Sequence, residues 1–138
     1  MFQFENTIRG KINIEKTWIL YSDVNRWPEW DLDMQKVVLE GEFADGVKGT
    51  MFMKEMPPFP FILDKVEKGK AFINSSIFGE ITVTFGHFIS EEKNGEYTLK
   101  HTVTIVGPNE AQLQRMGQGI VSNIPANMER LFQLVRME

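Results

Sequence analysis

The chain has 138 residues, of which 42% are hydrophobic and 25% charged, with a formal net charge of −4 and no cysteine. This length and apolar content predict a single globular domain over residues 1–138 and exclude a disordered chain. The missing cysteine excludes disulfides, thiol nucleophiles and thiolate metal sites. The mild acidity offers no basic face for nucleic acid.

No apolar stretch approaches the ~20 residues of a membrane-spanning helix, and the N-terminal segment carries charges without the apolar region of a signal peptide. We therefore expect a cytoplasmic protein with no membrane span and no nucleic-acid partner. Phenylalanine and methionine are abundant, at 11 and 8 residues. This excess favours either an ordinary core or a deformable apolar cavity, because Phe supplies large apolar area and Met adapts to irregular gaps.

The first elements are a strand and two short helices. Residues 2–14 alternate between apolar and polar side chains, which predicts a long half-buried strand. Asn13 is suited to cap a helix over residues 14–22, and we expect Asn25 to cap a second short helix that runs through Trp30.

Strands and turns fill the middle of the chain. The predicted strands are 35–43, 47–55, 61–67, 70–78, 80–91 and 96–106. Three prolines between positions 57 and 60 are incompatible with a central strand and predict a loop or a sheet edge. The apolar and polar faces of strand 61–67 cannot be told apart from its sequence.

A long amphipathic helix ends the chain. Asn109 followed by Gln112 is typical of a helix start, and apolar residues then recur every three or four positions as far as Val135. Pro125 predicts a kink or short break near Ile124. Seven strands followed by this helix indicate an α+β domain, in which an antiparallel sheet curls around the helix and any gap between them forms a cavity.

Three features together resemble a known superfamily. They are the segment SDVNRWPEWD (Ser22 to Asp31), the turn FADGVKG (Phe43 to Gly49) and the long terminal helix. The chain resembles the SRPBCC, or START/Bet v 1-like, superfamily, and within it the polyketide cyclase/dehydrase and lipid-transport-like proteins. The resemblance implies a helix-grip fold with a seven-stranded antiparallel sheet, a deep apolar cavity and ligands such as sterols, lipids, hormones or polyketides. It brings no shared catalytic motif, so the fold does not give the function.

The chain has two histidines, His87 and His101, and both lie on the apolar parity of predicted strands. A three-residue connection, Lys93 to Gly95, with Gly95 in a left-handed conformation keeps the apolar faces of both strands on one side. His87 then faces His101. A two-residue turn, Asn94-Gly95, would set apolar positions against polar ones.

Two inward imidazoles could anchor a ligand oxygen, act as acid and base, or bind a metal. They could also be core histidines bonded to each other, to Tyr97 or to water. A metal site needs a third ligand, and no H-x-H or H-E-x-x-H pattern supplies one. We therefore expect no metal and no cofactor.

Strand parity and helix face select further ligand-binding candidates, each of which could equally be ordinary core. With the two histidines they are Trp30, Met51, Met53, Phe61, Phe85, Tyr97, Val103, Met116, Ile120 and Ile124. Trp30 and Trp27 could instead pack the short helices across the end of the sheet. Gly117 and Gly119 could allow close approach of the sheet or a ligand, or loosen the helix as a lid.

Three functions remain open from the sequence. The first is a binding protein for a small hydrophobic molecule, either a monomer or a homodimer. The second is a polyketide cyclase or aromatase that uses His87 or His101 to move protons. The third is a protein-interaction module similar to co-chaperones of the same fold.

Overall fold

A seven-stranded antiparallel sheet is the frame of the molecule, for which a computed structural model describes residues 1–137. Its strands are β1 (Phe2–Gly10), β2 (Met34–Leu39), β3 (Lys48–Met53), β4 (Phe59–Glu67), β5 (Ala71–Phe78), β6 (Ile81–Glu91) and β7 (Tyr97–Val106). Their order in the sheet is β1-β7-β6-β5-β4-β3-β2. The predicted fold class is therefore confirmed.

The helices follow at the predicted places. They are α1 (Ile14–Ser22), a 3-10 helix (Val24–Glu29), α2 (Glu110–Val121) and α3 (Ile124–Val135). Asn13 caps α1 and Asn109 caps α2, because the side-chain oxygen of each accepts a backbone N–H at 3.0 Å. The expected cap Asn25 is wrong: Asp23 caps the 3-10 helix by accepting the backbone N–H of Asn25 at 3.1 Å.

The terminal helix is interrupted, as Pro125 predicted. α2 ends at Val121, α3 begins at Ile124, and Pro125 lies in the first turn of α3, where a missing N–H costs nothing. The two halves belong to different apolar clusters. α2 packs with β1, β6 and β7, whereas α3 packs with α1, the 3-10 helix, β2–β5 and Leu99 of β7, and Ile124 at the start of α3 contacts both clusters.

Several strand boundaries differ from the predictions, and among them β2 ends at Leu39 rather than at residue 43 and β3 at Met53 rather than at residue 55. β1 ends at Gly10 rather than at residue 14, because the backbone of the next residues bonds to the end of α3, with Asn13 N–H donating to the Val135 carbonyl at 2.8 Å, and α1 begins at Ile14. β4 begins at Phe59 and includes Pro60, which was expected in a loop or at an edge. Pro60 pairs with Thr50 of β3, and β4 pairs with β5 only from Ile62 onward, so the proline lies where the strand has one neighbour. None of the helices within residues 1–137 is long and apolar enough to cross a bilayer.

Candidate functional site

A cavity of about 1300 Å³ lies between the concave face of the sheet and the α2–α3 break. It reaches the surface at the β3–β4 loop, where the exposed residues Glu55 and Met56 form part of its wall. Apolar side chains from five strands, β2 to β6, and from both terminal helices form most of its interior. They include Met51, Met53, Phe59, Phe78, Ile81, Val83, Phe85, Met116, Ile120 and Ile124.

Phe85 shows where the hollow begins. It lies on β6 in the middle of the sheet and pairs with Val103 of β7, so both side chains point to the concave face. Val103 is only 1% exposed because α2 covers it, whereas Phe85 remains partly accessible and lines the cavity. The accessible surface of Phe85 therefore forms part of the cavity wall.

Nine of the twelve predicted ligand-binding residues lie on this wall. They are Trp30, Met51, Met53, Phe85, His87, His101, Met116, Ile120 and Ile124. Their contact with a ligand stays a prediction, but the structure does bring them together around one hollow.

Phe61, Tyr97 and Val103 lie outside the cavity lining. Phe61 is buried against the ring of Trp27, with 5.9 Å between ring centroids. Val103 is enclosed in the cluster beneath α2. Tyr97 lies at the last residue pair of β6 and β7, where its hydroxyl donates to Glu91 at 3.3 Å. Parity identified the side of the sheet on which each residue lies, but not how far along the strand the hollow extends.

His87 and His101 face each other on β6 and β7, as predicted. Their ring centroids are 4.7 Å apart, with the rings at 72°. The three-residue connection that sets this register has left-handed conformations at Asn94 and Gly95, with φ of 63° and 76°. Register and turn together place two imidazoles at the inner end of the cavity.

Each histidine is oriented by one hydrogen bond. The His87 Nδ1–H donates to the Phe72 carbonyl at 3.2 Å, which leaves Nε2 of the neutral ring as an acceptor. The ring of Phe72 stacks on His87 with 3.8 Å between centroids. His101 Nε2 lies 2.7 Å from the Tyr21 hydroxyl. The predicted alternative partner was Tyr97; the helical apolar spacing that includes Tyr21 in α1 was the signal that could have identified it.

Burial keeps His87, His101 and Tyr21 uncharged at neutral pH. Desolvation lowers the pKa of His87 to about 3, and desolvation together with the neighbouring His87 lowers the pKa of His101 well below its usual value. Burial also raises the pKa of Tyr21 above its usual value. At neutral pH these three side chains therefore offer donors and acceptors without a charge. Within residues 1–137, no cluster of three or more His, Asp or Glu side chains could hold a metal ion.

Two polar residues of the cavity wall were not predicted from the sequence. Asn74 and Ser76 lie on the concave face of β5, are 2% and 3% exposed, and line the cavity. Asn74 Oδ1 and Ser76 Oγ have no hydrogen-bond partner among the described residues. The segment N-S-S places polar residues on both faces of β5, so its alternation did not show which of them point inward.

Two side-chain hydrogen bonds connect the cavity wall at Asp31 and Asp33 to the first residues of α3 and the residue before it. Asn127 donates to Asp31 at 3.2 Å, and Asn123 donates to Asp33 at 2.6 Å. Desolvation, opposed by the backbone N–H of Asp33, raises the pKa of Asp31 to about 6. Asp31 and Asp33 both line the cavity, although neither was among the residues selected from the sequence.

Comparison with known proteins gives the fold. No protein-family model and no curated protein sequence matches the chain. Among solved structures, Ara h 8.0201 superposes with a TM-score of 0.73 at 16% identity, covering 94% of each chain. Norcoclaurine synthase from Thalictrum flavum, in complex with dopamine and hydroxybenzaldehyde, has a TM-score of 0.72 at 12% identity, covering 96% of this chain and 85% of its own.

The di-domain ARO/CYC protein BexL from the BE-7585A biosynthetic pathway has a TM-score of 0.75 at 9% identity and covers 95% of this chain. This chain corresponds to 45% of BexL. These likenesses confirm the predicted helix-grip fold. At such low identity they establish the architecture and leave the function to the chemistry of the cavity.

Proposed function

We propose that this helix-grip protein binds a small, mainly hydrophobic molecule in the cavity between its sheet and the α2–α3 break. The observation that carries the proposal is a hollow of about 1300 Å³ with Phe85, Met116 and Ile120 accessible on its wall. Ligand pockets commonly enclose about 300–1,000 Å³, so the hollow can hold a molecule of several rings. Burial of apolar surface stabilises the complex by about 25 cal/mol per Å².

The two histidines orient the ligand in this proposal. His87 Nε2 accepts a hydrogen bond without the cost of removing a charge from water, because the imidazole is already neutral. A polar substituent of the ligand therefore binds at the inner end of the cavity, and its apolar body contacts the methionines and phenylalanines.

The same pKa values favour binding over acid–base catalysis. An efficient general acid or base has a pKa near the operating pH, whereas desolvation lowers the pKa of His87 to about 3. Neither histidine readily accepts a proton near pH 7. The Thalictrum flavum enzyme, which has this fold and was crystallised with dopamine and hydroxybenzaldehyde, supports small aromatic molecules as ligands.

The test is fluorescence titration with the neutral probe N-phenyl-1-naphthylamine. Wild-type protein is expected to bind it saturably, and Met116→Trp, which fills the cavity from α2, is expected to lose roughly tenfold or more in affinity. Gln118→Trp is the matched control, because Gln118 is exposed on the same helix and does not line the cavity.

Thermal unfolding of each variant shows whether it is folded. Ile120→Trp replaces Met116→Trp if the latter does not fold. Equal affinities for the wild type and a folded cavity-filling variant would contradict the proposal.

A further inference from the structure

Four polar side chains form a continuous row on the concave face of the sheet. His101 faces His87 across β7 and β6, Asn74 lies diagonally from His87 on β5, and Ser76 follows Asn74 on the same face. Diagonal neighbours on one face have Cα atoms about 7–8 Å apart. We call these four residues the polar row; all of them line the cavity.

The two ends of the polar row differ in their hydrogen bonds. His101 and His87 are held by Tyr21 and by the Phe72 carbonyl. Asn74 Oδ1 and Ser76 Oγ are buried without a partner among the described residues. Unpaired buried polar atoms are costly and require an explanation, and both of these residues line the hollow.

From this arrangement we infer that the ligand carries two polar substituents along one edge. One lies at the histidines, and the other is a hydroxyl that bonds to Asn74 and Ser76. The inference rests on the proposed function and narrows its ligand class. The expected ligand is therefore a rigid hydrophobic molecule that carries oxygen atoms at two positions, rather than a lipid with a single polar end.

The selectivity has a physical cause. A ligand that is apolar beside Asn74 and Ser76 leaves both oxygen atoms without a hydrogen bond, whereas a ligand hydroxyl supplies one. Sites built to bond a substrate hydroxyl discriminate strongly against the analogue that lacks it. The second hydroxyl should therefore add affinity only where the polar row is intact.

The experiment is a competition titration against N-phenyl-1-naphthylamine with matched probes. The probes are trans-stilbene, its mono-hydroxylated and doubly para-hydroxylated derivatives, a dihydroxynaphthalene with closer hydroxyls, and palmitate as a single-headed lipid. The proteins are the wild type, Asn74→Leu, Ser76→Ala and the control Ser75→Ala, which changes the neighbouring serine on the opposite face of β5.

Wild-type protein and Ser75→Ala are expected to bind at least one doubly hydroxylated probe about 5- to 30-fold more tightly than the mono-hydroxylated one. Asn74→Leu and Ser76→Ala are expected to reduce that preference to about twofold or less. Asn74→Leu should also unfold at the same or a higher temperature without ligand, because it removes an unpaired buried group. If Asn74 instead stabilises the fold, Asn74→Leu should unfold at a lower temperature than the wild type.

Two failures are distinguishable. If the probes compete but the second hydroxyl adds nothing in the wild type, or adds as much in Asn74→Leu and Ser76→Ala, the inference is overturned and the proposed function stands. If neither N-phenyl-1-naphthylamine nor any competitor binds, the proposed function itself fails, and the inference with it.

Discussion

The hydroxyl of Tyr21 lies 2.7 Å from Nε2 of His101, which joins the first helix to the last strand inside the domain. The rings of Trp30, Phe72 and His87 pack around this bond with centroids within 6 Å of Tyr21. One hydrogen bond thus fixes both the position of α1 and the orientation of a cavity-lining imidazole.

Tyr21→Phe should destabilise the protein by about 1–3 kcal/mol, because it leaves His101 buried without its partner. The measurement is urea unfolding at neutral pH. Tyr97→Phe is the matched control, since the Tyr97 hydroxyl bonds to Glu91 on the exposed surface. Equal stabilities of the two variants would show that the buried bond contributes nothing.

Acid should destabilise the protein through its histidines. The pKa of His87 is about 3 in the folded chain and near its ordinary value of 6.5 in the unfolded chain. As pH falls from 6.5 towards 3, the unfolded state binds a proton that the folded state refuses, so stability is lost in this window.

His87→Phe should therefore weaken the pH dependence of stability by about 1.4 kcal/mol per pH unit near pH 5. Urea unfolding at several pH values between about 7 and 4 measures this slope. The phenylalanine ring of the variant retains the stacking on Phe72. The variant loses the hydrogen bond to the Phe72 carbonyl at every pH, so the test is the slope of stability against pH and not the stability at one pH. An unchanged slope would contradict the buried neutral imidazole.

Asp31 should have the opposite effect on how the stability of the protein depends on pH. Its pKa is raised from 3.8 to about 6 by desolvation, so its contribution is full below about pH 3.8 and is lost as pH rises through about 6. Asp31→Asn retains the Oδ1 that accepts from Asp33 and Asn127. The variant should be more stable than the wild type at about pH 7.5, by up to about 2–3 kcal/mol, with little difference at about pH 4.

Thermal unfolding at these two pH values measures the effect. Glu80→Gln, at an exposed turn, is the control for removal of one negative charge and should change stability by less than about 0.5 kcal/mol. A gain for Asp31→Asn that is equal at both pH values would contradict the elevated pKa.

Two glycines on α2 should respond oppositely to the same change. A Cβ at Gly117 would lie 2.5 Å from the ring of Phe2, whereas a Cβ at Gly119 meets nothing within 4 Å. Gly117→Ala should destabilise by about 1–3 kcal/mol through overpacking. Gly119→Ala should stabilise by about 0.5–1 kcal/mol, because alanine favours the helix. Urea unfolding of the pair checks both, and a shared sign would show that the helix shifts freely over β1.

The sequence predicted the sheet, the helix break and the pairing of the histidines, because alternation, proline and turn length are local signals. It could not separate Phe85 from Val103, which share a face and differ only in what lies above them. The phase of β4 was ambiguous for a physical reason: its register shifts between Leu63 and Lys65, so strict alternation fails there.

The break between α2 and α3 has a further consequence for the cavity. Both helices pack on β1, α2 through Phe2 and α3 through Phe132, and α3 is held in addition by α1 and by the Asp31–Asp33 loop. The roof of the hollow is thus two helices that share β1 as a support and are separated by a break at residues 122 and 123. A bend at this break changes the size of the hollow without breaking one strand-to-strand hydrogen bond. Under the proposed function, such a bend would let the cavity take ligands of different bulk while the sheet keeps its shape.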